Sequence, residues 1–571
     1  MFKKFENAVL VGIQSPFQRK FILLGTLLGF LLSVMLIAPT NIVLAKMLPG
    51  KNNDTFTIYI DLPNGESIQH TKEVSDCVVS FVQKESEILD TEVFLGMGAP
   101  LDFAGLIKGS HFKKAENVGE VVLNLTKKHH RNEPSYLMVQ RMRPPINQTC
   151  ASIYKGTKIS FVEPPAGPPV LAAIVAEIYG DDANGIKKLA KRVSDVFVNT
   201  EGLVDVDIMQ DDIYDTYEIS VDAEKVSRSQ VSVKQLNQIL YLAFEGLNIA
   251  VKNSDIYNDQ IPIFLSLNMD SKKFSSKNIS AVKAKLASLK LMNNKGMMIP
   301  LTELVTVLPK KSNAMILSKN LKQMTNVMAE TDMVSQVYPL MKARNTILDT
   351  FSDEYEITKT GLFNLKLKDK KSATIYKLIW DGEMEVTLDT FVELGAAFIA
   401  ALVLIFLLMV IYYKSYTLSG IILLGSFLSI IGVIFGHLIM DIFTTDTFFL
   451  TATSLIGFIA LIGISSRNSL LLIDFTKSLM IDKGMFKAEA IAYATATRAK
   501  PIFLTAAAII LASTLLAQDA VFGGLGIALI FGTVAAVVSS LIVVPVLMFM
   551  ADLETHFDFH EKESVSINDP L

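Results

Sequence analysis

The chain is short of the residues from which metal centres and catalytic sites are built. Its 571 residues hold two cysteines, one tryptophan and seven histidines. Cys77 and Cys150 show no metal-ligand spacing. If both lie outside the cytoplasm they can pair, but spacing does not fix their distance, and inert buried thiols are the expectation. No glycine-rich phosphate loop followed by Lys-Ser/Thr occurs, which excludes a chain that powers itself with nucleotide. His129-His130 in KKHHRNE lacks further ligands and reads as a solvated cluster. The 23 methionines lie in apolar or variable contexts, as gap fillers and not as a soft-metal relay. A net charge of −4 gives no basic field for nucleic acid. No enzymatic constellation emerges, and no cofactor or metal is expected.

What the chain has is apolar length. Half of its residues are hydrophobic while 19% are charged, so greasy and polar regions must be segregated along it. Residues 1–20 are flanked by basic side chains and suit a short interfacial helix. Residues 21–45 form a first spanning candidate, too long and too late for a signal peptide. The next apolar run begins near Phe391, and five spans follow at 391–413, 418–440, 448–475, 501–517 and 522–550. A cytoplasmic linker helix at 476–500 is expected to stop before Pro501, and 551–571 reads as an acidic, disordered tail.

Lys and Arg set the orientation. With the N-terminus inside, Lys3, Lys4, Arg19, Lys20, Lys414, Lys477, Lys483, Lys487, Arg498 and Lys500 are cytoplasmic. The opposite loops, Asp441–Thr447 and Gln518–Val521, contain neither Lys nor Arg. The block 46–390 then lies across the membrane, which in a Gram-negative cell is the periplasm. Strand–helix–strand patterns recur in it. Phe56, Ile58, Ile60 and Leu62 alternate, Asn64-Gly65 turns, and Ser67 caps a helix with Val74, Cys77, Val78 and Phe81 on one face. A second pattern runs from Ile178-Tyr179 through Ile186, Leu189, Val193 and Val196 to Val204, Val206 and Ile208. Such units suggest ferredoxin-like, split-βαβ subdomains in an α+β region. Further strands are expected at 261–267, 298–308 and 323–330, and EPPAGPPV (163–170) reads as a stiff connector or exposed loop. The segment around Gly96, Gly98, Gly105 and Gly109 reads equally as a surface loop or the lining of a substrate path.

The fourth span, FFLTATSLIGFIALIGISSRNSLLLIDF (448–475), carries Arg467 between apolar residues. An arginine there costs roughly 2.5–3.5 kcal/mol and calls for a carboxylate or a water-filled path. Snorkelling toward the surface beyond Asp474 is the competing reading. Asp474 is seven residues on and shares nearly the same face, so an Arg467–Asp474 stripe facing a bundle is expected. Arg467, Asn468, Arg498 and Thr505 can form a polar cluster on two neighbouring helices. For Arg498 and Lys500 alone, positive-inside anchoring suffices.

These pieces resemble the C-terminal half of a resistance-nodulation-division (RND) efflux permease. GISSRNSLLLIDF is similar to that half's fourth-helix motif and EAIAYATATRAKPIFLT to its helix-to-helix linker. FVEPPAGPPVLAAIVAEIYG, EGLVDVDI and YKLIWDG are similar to its extracytoplasmic segments. The resemblance implies six helices and a large porter and docking region in a trimeric, proton-driven exporter of hydrophobic or amphiphilic compounds. It also implies an inner-membrane location with a periplasmic adaptor and an outer-membrane channel as partners. By position, Arg467 corresponds to the family's intramembrane basic residue, and Arg498 and Thr505 to its arginine and threonine on the next helix. With Asn468 and Asp474 they make up the expected ion-coupling set.

Two departures matter. Arginine stands where several drug pumps have lysine, and it hardly deprotonates, so Arg467 is expected to be a counter-charge and not the proton carrier. The family's titrating Asp-Asp pair belongs to the N-terminal half, and Asp181-Asp182 and Asp211-Asp212 both lie in the soluble block. A separate N-half subunit carrying the acidic pair is therefore expected. The alternatives are a protein-export auxiliary, for which Asp474 is the only fourth-helix acid, and a non-transporting half.

Overall fold

The computed structural model describes residues 2–47, 52–128, 130–164, 167, 170–210, 213–256, 260–267, 279–313, 315–332, 335–444, 448–519 and 521–553. His129, Asp211-Asp212, most of the proline-rich stretch 163–170 and the tail beyond Leu553 lie outside these residues. The chain divides into two units: residues 1–209 with 317–571, and residues 210–316.

The first unit opens with two helices, α1 (Phe2–Gln14) and α2 (Pro16–Ile37). Ser15 breaks them apart and caps α2, with Pro16 in the first turn, where a missing N–H costs nothing. The first span thus occupies Pro16–Ile37 and not 21–45. Ala38, which precedes Pro39, is extended (φ −149°, ψ 130°), the conformation a following proline imposes.

Strands β1 (Thr55–Asp61), β2 (Ile88–Leu95), β3 (Val118–Leu125) and β4 (Lys158–Val162) form an antiparallel sheet in the order β2-β3-β1-β4. Helix α3 (Ile68–Val82) links β1 to β2. The short α4 (Phe103–Lys108) and then α5 (Ser135–Thr149) follow β2 and β3. Ser67 caps α3 by accepting from the His70 N–H. Phe56, Ile58 and Ile60 of β1 are fully buried against Val74 and Val78 of α3 and Met138 and Ile146 of α5. Because both helices pack on this one face, Cys77 in α3 and Cys150 at the end of α5 come to a Cα–Cα distance of 5.7 Å and are joined as a disulfide. That corrects the expectation of unpaired thiols. The two side chains belong to one core although 73 positions separate them in sequence.

A second sheet begins with β5 (Ile174–Tyr179), α6 (Ala183–Val198) and β6 (Leu203–Ile208). Every residue of β5 is buried, as expected of a central strand.

The unit of residues 210–316 interrupts this sheet in sequence. Its β7 (Asp215–Val221) pairs with β12 (Val305–Lys311), and α7 (Ala223–Arg228), α8 (Val233–Phe244) and α9 (Ile279–Ser288) accompany them. Val226, Leu236, Leu286 and Leu301 are in its core. Strands β8 (Leu247–Lys252) and β9 (Ile261–Leu265) make a hairpin exposed on both faces. The single strand expected at 298–308 is in fact two. After β10 (Lys290–Met292), β11 (Met298–Pro300) ends at a proline, and a 3-10 turn over Leu301–Glu303 precedes β12.

The second sheet is completed by β13 (Leu317–Lys319), β14 (Lys322–Thr331), β15 (Tyr355–Thr360), β16 (Asn364–Asp369) and β17 (Ile375–Asp381), with α10 (Val337–Phe351) between β14 and β15. The order is β13-β14-β5-β17-β16-β15, with β6 also on β14. Leu189, Val193 and Phe197 of α6 and Leu340, Ile347 and Phe351 of α10 fill its core. The Arg143 guanidinium on α5 pairs with Asp205 of β6 at 3.3 Å, joining the elements of the two sheets.

Gly382, at φ +86°, turns β17 into the second spanning helix. A Cβ there would lie 2.5 Å from the Ala172 carbonyl oxygen, so only glycine fits. Beside this joint, Lys319 Nζ donates to Glu177 Oε1 (2.7 Å) and Asp381 Oδ2 (2.8 Å). Burial raises the Glu177 pKa, with Asp381 adding to the rise and Lys319 opposing it.

Among the described residues six helices are long and apolar enough to cross a membrane. After α2 they are α11 (Glu383–Tyr413), α12 (Tyr416–Phe427) continued by α13 (Ser429–Phe443), α14 (Ala452–Lys483), α15 (Lys487–Leu516), and α16 (Gly523–Val538) continued through a π-turn at Ser539–Val543 into α17 (Val544–Met550). The expected boundary between a 476–500 linker and a 501–517 span is absent, because α15 passes through Pro501 unbroken. Inside a helical membrane bundle, neighbouring groups relieve the backbone position that proline leaves open. The third and sixth spans approach closely through Gly432 and Gly436. A Cβ on either would fall within 2.6 Å of Phe531 in α16.

Candidate functional site

Helix α14 carries the candidate set. Thr451 and Ser454 form a reciprocal capping box at its start, and Gly484 in the left-handed region (φ 63°) ends it. Its inner face is tightly packed: a Cβ on Gly457 would lie 2.7 Å from Ala528 of α16. Its outer face is open. Ile456, Ala460, Gly463 and Arg467 recur at helical spacing and are exposed, and nothing lies within 4 Å of the Cβ position of Gly463.

Arg467 makes no ion pair or hydrogen bond with the described residues. The expected stripe therefore does not face this chain's own bundle at Arg467; it faces outward. Asn468, one residue on, is buried. Asp474 is half-buried and accepts a hydrogen bond of 2.7 Å from the Tyr413 hydroxyl at the end of α11, which also points at the Leu470 carbonyl (3.4 Å). The Arg498 guanidinium on α15 stacks over the Phe475 ring, 5.0 Å from its centroid, and its Nε is buried without a partner. Thr505 is exposed and donates to carbonyls of its own helix, at Pro501 and Ile502. α14 and α15 are thus neighbours, as the polar-cluster reading requires, but no hydrogen bond among the described residues joins the five side chains. The Arg498–Phe475 stack is the contact that joins the two helices at this set.

A second polar group escaped the sequence reading. His437 of α13 is fully buried, with Nε2 2.9 Å from Ser454 Oγ and Nδ1 2.8 Å from the Val433 carbonyl oxygen. Ser454 Oγ lies 3.0 Å from Thr451 Oγ1, which lies 2.8 Å from Thr453 Oγ1, and Thr453 donates to the Val521 carbonyl. This chain of hydroxyls ties the third span and the α14 start to the segment before α16. A histidine inside the apolar run GVIFGHLIM was the available signal. Among the described residues no group of three or more His, Cys, Asp or Glu side chains is arranged to hold a metal ion.

Comparison with known proteins places this arrangement. The swarming motility protein SwrC of Bacillus subtilis (strain 168) is 25% identical over 377 residues, 65% of this chain and 32% of SwrC. The multidrug resistance protein MdtC of Citrobacter koseri is 21% identical over 471 residues, 80% of this chain and 41% of MdtC. The multidrug export protein AcrF of Escherichia coli (strain K12) is 30% identical over 149 residues, 25% of this chain and 14% of AcrF. A crystal structure of a heavy metal efflux pump superimposes with a TM-score of 0.70 at 17% identity, over 96% of this chain and 52% of the pump chain, a likeness of fold. The chain therefore spans about half of the solved pump chain and less of these curated relatives. The AcrB/AcrD/AcrF family matches residues 1–552, nearly the whole sequence. The chain belongs to that family, the RND permeases.

Proposed function

We propose that this chain is one half of a proton-driven RND exporter of hydrophobic or amphiphilic compounds, completed by an N-half subunit that carries an intramembrane Asp pair. The observation that carries this reading is the outward face of α14, where Arg467 stands on an otherwise apolar, uncovered stripe. A guanidinium left against lipid is costly, and one facing a second half that bears carboxylates is paired. Arg467 then serves as the counter-charge whose attraction changes when the opposing acids take up protons. The role given to it is that of a counter-charge and not of a proton carrier. Asn468, Asp474, Arg498 and Thr505 complete the polar surroundings on α14 and α15.

The disulfide Cys77–Cys150 supports placing the two sheets outside the cytoplasm, in an oxidising compartment such as the periplasm of an inner-membrane pump. The β2-β3-β1-β4 order with two helices supports reading the first sheet as a ferredoxin-like porter subdomain. A trimer with a periplasmic adaptor and an outer-membrane channel is the assembly that fits. The multidrug names of two relatives favour xenobiotic substrates. The protein-export auxiliary is not favoured, since its fourth-helix acid, Asp474, is engaged by Tyr413.

The test is affinity purification from native membranes with mass determination, together with Arg467→Met and Arg467→Lys in an export assay. A partner half with an acid pair, export lost in Arg467→Met with assembly retained, and partial export in Arg467→Lys are expected. Full export by Arg467→Met overturns the counter-charge role, and an assembly with no acid-bearing half overturns the pairing.

A further inference from the structure

The third and sixth spans are both irregular, and their irregular stretches meet at Gly425. The third breaks between Phe427 and Ser429, two residues beyond this glycine. The sixth leaves α-helical geometry over Ser539–Val543, just ahead of Pro545. The Gly425 carbonyl oxygen accepts from Ser539 Oγ (2.9 Å) and from Ser465 Oγ on α14 (3.3 Å). A Cβ on Gly425 would stand 2.8 Å from Val544 Cγ2, 3.3 Å from Ser469 Oγ and 3.7 Å from Ser539 Oγ. Three serine hydroxyls from two spans thus surround one glycine of a third, and all three serines are at most 3% exposed.

Their hydrogen bonding is incomplete. Ser469 Oγ is buried with no partner, although the carbonyl four residues back is the usual acceptor for a helical serine. The hydroxyl of Ser540, in the same π-turn, is also buried without a partner. A bound small polar molecule is one way in which buried polar atoms of this kind are satisfied. Irregular backbone at membrane depth is tolerated where it is buried in protein or meets water.

We propose that Gly425, Ser465, Ser469 and Ser539 form a binding site for a water molecule that bridges the third, fourth and sixth spans. Ser465 and Ser539 give their protons to the Gly425 carbonyl, so their oxygens remain acceptors, while Ser469 still has a proton to give. Water donates twice and accepts once, which matches this set. A sodium ion gives the Ser469 proton no acceptor, and no carboxylate belongs to the cluster to balance its charge. Ser469 and Arg467 lie about 200° apart around α14, so holding Ser469 inward also holds Arg467 on the outer face.

The sign of one substitution tests the site. The full chain, in the assembly in which it purifies, is compared with Ser469→Ala by thermal unfolding in sodium chloride and in choline chloride, and a high-resolution cryo-EM map of the wild type is recorded. A bridging water predicts that Ser469→Ala melts about 1–3 °C lower, and that the wild type melts alike in both salts. An equal or higher melting temperature for Ser469→Ala shows a dry pocket relieved of an unpaired hydroxyl, and overturns the proposal. Loss of wild-type stability in choline shows a cation site, and also overturns it. If Ser469→Ala does not fold, the map decides: a density peak within hydrogen-bond distance of Ser469 Oγ supports the site, and its lack refutes it.

Discussion

The Tyr413 hydroxyl reaches Asp474 Oδ1 across 2.7 Å, fastening the last residue of the second span to the fourth. Tyr413→Phe removes this donor from a carboxylate inside the bundle. A loss of about 1–3 kcal/mol is expected. Asp474→Asn keeps an acceptor for the tyrosine and is expected to cost less than Tyr413→Phe. Thermal unfolding of both variants in detergent checks the order; equal losses would show that the bond contributes nothing specific.

The Cys77–Cys150 bridge closes a long loop through the first sheet. Replacing both cysteines by serine is expected to lower the stability of that region by about 2–4 kcal/mol. Reductant should destabilise the wild type and leave the double variant unchanged. Hydrogen exchange across β1–β4 reads this separately from the membrane helices.

Two glycines of the third span should respond in opposite ways. Gly432→Leu places a side chain where even a Cβ would lie 2.3 Å from the Phe531 carbonyl oxygen, so the third and sixth spans must separate. Failure to fold, or a fall in melting temperature of several degrees, is expected. Gly420→Ala meets nothing within 4 Å and gains up to about 1 kcal/mol of helix propensity. Comparing the two by size-exclusion chromatography and melting temperature checks the packing.

Asp205 gives a pH dependence of known sign. Burial raises its carboxyl pKa despite the Arg143 guanidinium and the Phe161 N–H beside it. The folded chain therefore holds the proton more tightly than the unfolded chain does. Its stabilising contribution is fully present below the unfolded pKa of about 3.9 and is lost as pH rises through the raised value. The melting temperature of the wild type minus that of Asp205→Asn should fall as pH increases above about 4. A difference that does not vary with pH would count against the raised pKa.

The six apolar helices and the βαβ units were legible because burial writes itself as periodicity. Phe56, Ile58 and Ile60 alternate along one strand, and Val74 and Val78 share one helix face. The ends were less legible. Pro501 read as a stop, yet α15 continues through it, and the first span was expected to run on to 45 although helical structure ends just before Pro39. The cysteine pair was not legible, since its distance depends on two helices meeting over a sheet and not on spacing. The GVIFG pattern of Gly432 and Gly436 was present in the sequence and passed unread. For the candidate site, Arg467 was identifiable as the one charged residue between Phe448 and Ile473. Which way it faces depends on what covers the other side of α14, and single-chain periodicity does not encode that.

The absence of a joint at Pro501 has a mechanical consequence. As a single helix of 30 residues, α15 is about 45 Å long, against a hydrocarbon layer of about 30 Å. Roughly a third of its length therefore lies beyond the lipid, and protein braces it there: Ala490, Ile491 and Ala494 are buried in one core with Ile13 of α1 and Leu479 and Met480 of α14. A displacement of α1 or of the end of α14 is therefore felt first at this end of α15.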